Sequence, residues 1–407
     1  MPTRELESDL CPVHGRSWNE IKRRIIVSLL LVFALLYYVL PLEAGERTRL
    51  IFTGDIMAHI EQVKAARRSV SYDFAPQFRR VAPLFNDALA VGNLETVFAG
   101  ERAGYAGYPA FNTPDELAGA IAAAGIQIVT LANNHILDNY ERGAARTIDV
   151  LDSAGLLWTG LAKDSDEINN PLIVEYNGIL IAFLNYTYGS NVEPSGEVSR
   201  DVFMNIMEDT AVMEGLSLAE ASSCDLTVVC LHWGDEYKFV PTDRARAVTD
   251  LCFKNGADIV IGTHPHVLQP VEMRSADVSP KLVAWSLGNF VSNQRTPPRE
   301  RSVVLAVDIE KNSEAVVMIK RVAIAPTWVS SVLMGGREKF EIVYAGTGDR
   351  FNHAGLPKSE LSSARAAGKL VLEFLGAEGD PDEEGFYTLW DSASPDILPV
   401  SGRKSPQ

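Results

Sequence analysis

The sequence predicts an α/β protein, with a largely parallel sheet and a second, mixed or antiparallel sheet packed on it. Three observations carry that expectation. Short β-branched runs end abruptly in polar residues: "RLIFTGD" from Arg49, "IQIVTLANNH" from Ile126, "DLTVVCLHWGD" from Asp225 and "ADIVIGTHPH" from Ala257. Runs of this length and composition read as buried strands. Helical patterns separate them, and strand–helix alternation favours parallel pairing. The alternation fails in a central hairpin and in a late run of strands, where the other sheet is expected.

In chain order, the first element is an apolar segment. "IKRR" (Ile21 to Arg24) precedes the uncharged run "IIVSLLLVFALLYYVL" from Ile25 to Leu40. Extended through Pro41 and Leu42, it reaches the roughly 17–25 residues that span a bilayer. Lys22, Arg23 and Arg24 place that flank in the cytoplasm, and Tyr37 and Tyr38 suit the opposite interface. Leu42 stands where a leader-cleavage site prefers a small residue, so an uncleaved anchor is expected in place of a signal peptide. The chain then divides into a short cytoplasmic tail (1–24), an anchor (25–42), a main domain outside the cytoplasm (49–327) and a partly irregular C-terminal extension (328–407). In the extension, "GAEGDPDEEG" reads as a solvated loop.

Within the main domain, "TPDELAGAIAAAG" reads as a helix, with Thr113 as N-cap, Pro114 in the first turn, Glu116 closing a capping box and Gly125 as its stop. "PLIVEYNGILIAFLNYT" reads as a hairpin turning at Asn177-Gly178. "RARAVTDLCFKNG" is another helix, ending at Gly256. "KLVAWSLGNFV", "SVVLAVDIE" and "AVVMIKRVAIA" follow as consecutive strands. Cys11, Cys224, Cys230 and Cys252 fit neither a disulfide framework nor a zinc ribbon, and Cys230 reads as core. With 46% apolar residues, 22% charged residues and a net charge of −16, the 407-residue chain has the make-up of a globular protein and offers no basic footprint for nucleic acid.

Ligands gather beyond the carboxyl ends of parallel strands. At those ends stand Asp55 in "FTGDIM", Asn93 and Glu95 in "AVGNLET", Asn134 and His135 in "LANNHILD", His232 in "CLHWGDE", and His264 with His266 in "GTHPH". Taken singly, each has a bland reading. Asp55 is a helix cap, Asn133-Asn134 a turn, His232 a core imidazole and "HPH" a turn stiffened by Pro265. Glu95 on an apolar strand needs a partner, because an unpaired buried carboxylate is costly. Recurrence at five strand ends favours a metal site. Carboxylates, amide oxygens and imidazoles form a donor set for Mn, Fe or Zn, and there are enough of them for two ions.

The motifs "FTGDIM", "VGNLET", "LANNHILDN", "LHWGDEY", "GTHPHVLQP" and "SLGNF", in this order between about Leu50 and Ile324, resemble the CapA family. That family is named for capsule biosynthesis of poly-γ-glutamate and is related to the calcineurin-like metallophosphoesterases. The resemblance implies a four-layer α/β/β/α sandwich and a two-metal site. In that site Asp55 and His266 serve the first metal, Asn134, His232 and His264 the second, and Glu95 replaces a bridging aspartate. His135 would protonate the leaving group or steady phosphoryl oxygens, and Asn289 falls at a pocket position with no assigned role. Two departures stand out. Met57 occupies the histidine position of the phosphoesterases' Asp-x-His, with His59 not expected to reach the metal, and Glu95 is longer than aspartate.

The implied protein is membrane-anchored, faces out of the cytoplasm, and acts in assembly or export of poly-γ-glutamate or another surface polymer. Its partners would be the bilayer, membrane synthetase subunits and an anionic polymer, and it would carry a metal-dependent hydrolase site. The rival readings are a non-catalytic scaffold and a general extracytoplasmic phosphatase. Arg244, Arg246, Arg295, Arg299 and Arg301 read as solvated surface in preference to a basic groove.

Overall fold

The computed structural model describes residues 46–193, 202–276, 279–348, 351 and 353–394. The apolar segment 25–42 and Cys11 lie outside them. Among the described residues no helix is long and apolar enough to cross a membrane. In chain order the strands are β1 (Glu46–Ile56), β2 (Leu89–Leu94), β3 (Ile128–Thr130), β4 (Leu157–Thr159), β5 (Leu161–Ala162), β6 (Leu172–Tyr176), β7 (Ile179–Thr187), β8 (Phe203–Met204) and β9 (Leu226–His232). They continue with β10 (Ile259–Thr263), β11 (Val271–Arg274), β12 (Lys281–Ala284), β13 (Asn289–Val291), β14 (Arg301–Lys311), β15 (Val317–Met334), β16 (Arg337–Tyr344) and β17 (Tyr387–Asp391). The α-helices are α1 (Ile60–Ala66), α2 (Ala75–Phe78), α3 (Glu116–Ala124), α4 (Tyr140–Ala154), α5 (Asp209–Ala221), α6 (Asp243–Lys254) and α7 (Lys358–Leu375).

Two mixed sheets result. The nine-stranded sheet runs β16-β15-β14-β1-β2-β3-β4, with β13 added to β1 and β17 to β15. Strands β1 to β4 pair in parallel, and β14 to β17 pair antiparallel. The six-stranded sheet runs β11-β12-β10-β9-β7-β6, parallel at its centre and antiparallel at its edges. The late strands therefore divide differently from the expectation. Only "KLVA" joins the second sheet, while "NFV" and the strands after it extend the first. An apolar run reports burial and says nothing of which neighbour it pairs with. The boundary expected at 327/328 falls inside β15, and the chain beyond it supplies β16, α7 and β17 to the same structure.

Alternation along the strands sets the packing. Leu50 and Phe52 of β1 point into a seam between the sheets, where they meet Ile181, Val228 and Ile261. Ile51 points the other way and packs with Val63, Leu117, Ile121 and Ile148 from α1, α3 and α4. On the outer face of the six-stranded sheet, Val229 and Val260 pack with Val212 and Leu216 of α5 and Val248 of α6. Helices thus cover the outer face of each sheet, and the sheets bury their inner faces on each other. Cys224, Cys230 and Cys252 are free, and Cys230 lies in the seam.

Local signals hold with one shift. The hairpin turns at Asn177 and Gly178, with φ of 50° and 78°, as a two-residue turn of the left-handed kind requires. Gly125 ends α3 at φ 102°. The N-cap of α3, however, is Asp115 and not Thr113. The Thr113 hydroxyl is engaged instead by Thr96 Oγ1 at 2.6 Å, and Glu116 accepts from the Tyr72 N–H.

Gly54, one residue before Asp55, shows how closely the backbones pack at this end of β1. A Cβ there would drive into the Gly288 carbonyl, a backbone atom that has no freedom to move aside. Gly54→Ala is expected to destabilise the protein by roughly 3 kcal/mol. Gly119 on the exposed face of α3 has open space around it, and Gly119→Ala should stabilise by up to about 1 kcal/mol. Chemical denaturation of both variants measures the contrast, and equal effects would show that the approach at Gly54 is not tight.

Candidate metal centre

Strand register brings the polar ends together. β1 aligns Asp55 with Asn93 of β2 on one side and with Asn289 of β13 on the other. The register shifts between Phe52 and Asp55, a bulge of the kind that re-aims side chains beside functional sites. In the other sheet, β9 aligns His232 with Thr263 at the end of β10. Donors from the two sheets therefore meet where their carboxyl ends adjoin.

Asp55, Glu95 and His232 are fully buried, and His266 and Asn134 nearly so. Asp55 Oδ2 lies 3.0 Å from His266 Nδ1, and its Oδ1 accepts from Asn93 Nδ2 at 2.8 Å. His232 Nε2 lies 2.9 Å from Asn134 Oδ1, and its Nδ1 is 3.0 Å from Thr263 Oγ1. Glu95 Oε1 sits 3.6 Å from His232 Nε2 and 3.7 Å from His266 Nε2, yet among the described residues it makes no hydrogen bond. Among the described residues His264 Nδ1 is likewise buried without a hydrogen-bond partner. Two donor triads form, Glu95–His264–His266 and Asp55–Glu95–His232, and Glu95 belongs to both.

The donor set fits a divalent metal. Ligand atoms about 2.0–2.2 Å from one ion stand roughly 3–3.6 Å from each other, close to the spacing around Glu95 Oε1. The electrostatics point the same way. Burial, followed by the Asp55 charge, pushes the Glu95 carboxyl well above its ordinary range. Burial and the neighbouring imidazoles push His232 well below 6.5 and His264 down to about 3. Without a cation the carboxylate lacks a counter-charge, while the imidazoles are held neutral, the form that ligates metal.

The "THPH" stretch is both a strained turn and a delivery of two imidazoles. His264 and His266 have φ of 95° and 57°, backbone that non-glycine residues adopt at a cost of about 1–3 kcal/mol each. Asn289 braces this turn by donating to the Arg299 carbonyl at 2.9 Å and reaching the His266 carbonyl at 3.5 Å, which gives it a structural task. His135 stands beside the centre, with its Nε2 3.5 Å from Asn191 Nδ2. Its Nδ1–H donates to Asp138 Oδ2 at 2.8 Å, an oxygen that also accepts from the Phe111 N–H. Met57 is buried core, and His59 N–H donates to Gln62 at the start of α1 while its Nδ1 accepts from Asn293 N–H.

Two site residues carried no stated role in the sequence. Asn93 links Asp55 to Glu95 Oε2, at 2.8 and 3.5 Å, and lies 3.4 Å from His232 Nδ1. Asp138 orients His135. Asn93 was visible as a polar residue on an apolar strand, and Asp138 as a carboxylate three residues after a histidine.

Fold and site together define a two-sheet α/β protein with a buried histidine–carboxylate centre able to hold divalent metal. Residues 49–294 match the model of the bacterial capsule synthesis protein PGA_cap, and the chain belongs to that family. It is similar to the capsule biosynthesis protein CapA of Bacillus anthracis, with 28% identity over 68% of each chain. It is also similar to the PGA biosynthesis protein CapA of Bacillus subtilis, with 26% identity over 64% of this chain and 67% of the other. Among solved structures, a Staphylococcus aureus protein assigned as a 5′-nucleotidase aligns with a TM-score of 0.42 and 12% identity, over 80% of this chain and 58% of that one.

Neutral buried imidazoles set a pH window. Folded His264 resists protonation down to about pH 3, while the unfolded chain takes up that proton near 6.5. Its contribution to stability is therefore present above 6.5 and lost as pH falls toward 3. Metal-free protein should melt at progressively lower temperature below pH 6.5, and His264→Asn should flatten part of that slope. Scanning calorimetry across the window measures this, and an unchanged slope in the variant would remove His264 as its source.

Proposed function

We propose that the chain is a metal-dependent hydrolase that acts on a phosphoester or related linkage during synthesis or export of poly-γ-glutamate or another surface polymer. In this reading it is tethered by residues 25–42 with its main domain outside the cytoplasm, next to membrane synthetase subunits and the acidic polymer. The observation that carries the reading is Glu95 Oε1, buried without a hydrogen bond between two imidazole nitrogens. A structural core would have no reason to keep such an atom, whereas a metal ligand has one.

Asp55, Glu95, Asn134, His232, His264 and His266 would hold two divalent ions. Such a pair supplies Lewis acidity and makes water a competent nucleophile near neutral pH. The remaining chemistry belongs to the protein. Asp138 fixes the His135 tautomer, which leaves Nε2 to hold or deliver the leaving group's proton. Asn93 keeps Asp55 and Glu95 in register, and Thr263 steadies the His232 ring through Nδ1.

Full-length protein purified without chelators should carry near-stoichiometric Mn, Fe or Zn and hydrolyse a generic phosphodiester. His266→Ala should lose most of both. His135→Gln should keep its metal while turnover falls by about a hundredfold or more. Elemental analysis and a chromogenic substrate read the two arms. A folded protein with neither metal nor turnover, even after Mn or Zn is added, sinks the proposal in favour of a scaffold. Brisk turnover of nucleotides and lipid headgroups alike would make it a general phosphatase.

A further inference from the structure

The five arginines near the site motifs prove unequal. Arg244 is paired with Asp209 at 2.7 Å, and Arg246 lies over the Trp285 ring at 5.3 Å. Arg295 donates to the Val329 carbonyl and covers Trp328, and Arg301 is buried beside Glu300. Arg299 differs in the ring that it covers. Its guanidinium carbon stands 3.3 Å from the centroid of Tyr237, and among the described residues it too has no carboxylate partner.

Tyr237 is held firmly at the centre. Its N–H donates to the Pro265 carbonyl at 2.7 Å, between the two histidines of "HPH", and its backbone is left-handed at φ 63°. Its ring centroid lies 6.0 Å from that of His266. The Arg299 carbonyl is bound to Asn289, which also approaches the His266 carbonyl. Arg299 is thus fixed at both ends to the turn that carries the imidazoles, and its cation is one ring removed from His266. A guanidinium laid flat on an aromatic face is pre-ordered and presents a fork of N–H donors at its edge. Glu236, next to Tyr237 in the chain, is the opposing charge here.

We propose that Arg299, positioned by Tyr237, is the substrate-recognition residue of this centre and binds an oxyanion flanking the bond at the metal site. The shared chemistry is a planar or tetrahedral oxyanion. One source is the carboxylate of an acidic polymer unit such as γ-linked glutamate, and the other is a phosphoryl group. The inference rests on the metal-centre reading for the place of the reacting bond, and its test reads binding.

The experiment uses the full chain with a fluorescent γ-linked oligoglutamate, measured by anisotropy, and inorganic phosphate, measured by calorimetry. Metal content and melting temperature are recorded on the same samples. Arg299→Ala should weaken binding by about tenfold or more, and Arg299→Lys should recover only part of it, because lysine lacks the fork and the stacking. Metal content and melting temperature should stay at wild-type values. Loss confined to oligoglutamate names the carboxylate as the ligand, and loss confined to phosphate names the phosphoryl group. Failure of the wild type to bind either anion, or equal binding by wild type and Arg299→Ala, overturns the proposal. Metal-free, inactive protein with Arg299-dependent binding would sink the hydrolase reading alone. Active, metal-loaded protein whose binding ignores Arg299 would sink this one alone.

Discussion

The arrangement turns on one buried carboxylate. Glu95 is completely removed from water, with Asp55 close by and, among the described residues, no Lys or Arg paired with it. Two acids in a dry pocket repel each other, and burial alone penalises each charge. His232 and His264 crowd the same space, and burial penalises both if they protonate. Neither set can neutralise the other, since the environment that keeps the histidines neutral denies Glu95 a counter-ion. A divalent cation removes both difficulties at once, because it needs ionised carboxylates and neutral imidazoles. The rest of the site follows from keeping those donors aimed inward: Asn93 between the acids, Thr263 behind His232, Asn289 behind the histidine turn.

Rigidity comes from the sheets. Asp55, Glu95 and Asn134 arrive from the nine-stranded sheet, and His232, His264 and His266 from the six-stranded one. The dry seam that locks the sheets together therefore also sets the distances within the centre. Left-handed backbone at His264, His266 and Tyr237 survives because its surroundings over-determine it: a strand end before, a proline between, and hydrogen bonds to Asn289 and Tyr237 around it. Tight backbone approach at Gly54 and Gly288 closes the floor of the same region.

Much of this was legible in the sequence, for a physical reason. A polar residue that ends an apolar strand cannot be explained by propensity, so Asp55, Glu95, Asn134, His232, His264 and His266 stood out one by one, and the structure brings all six together. Pairing was less accessible. Asp55 and His266 touch across 211 positions, and His232 and Asn134 across 98; local pattern carries no information on such contacts. For the same reason the sequence did not divide its late strands between the sheets, nor show that residues beyond 328 complete the larger one. The start of α3 was misplaced because Thr113 looks like a cap until its hydroxyl is seen bonded to Thr96. The tasks of Asn93 and Arg299 depend on what lies across from them, which no spacing rule reports.

An anionic ligand of the kind proposed above would meet a problem of range at this acidic protein. Its net charge of −16 repels an anionic chain at a distance, but salt confines that repulsion to about a Debye length, roughly 8 Å at physiological ionic strength. Inside that distance local charge decides. Four of the five arginines near the site are committed to carboxylates, carbonyls or aromatic faces away from the centre, and so add little there. A metal pair and a single oriented guanidinium would then supply nearly all the positive potential an incoming anion meets at the strand ends. Such an anion would be held where those charges converge and repelled elsewhere, so selection by position follows from the same charge balance that makes the protein acidic overall.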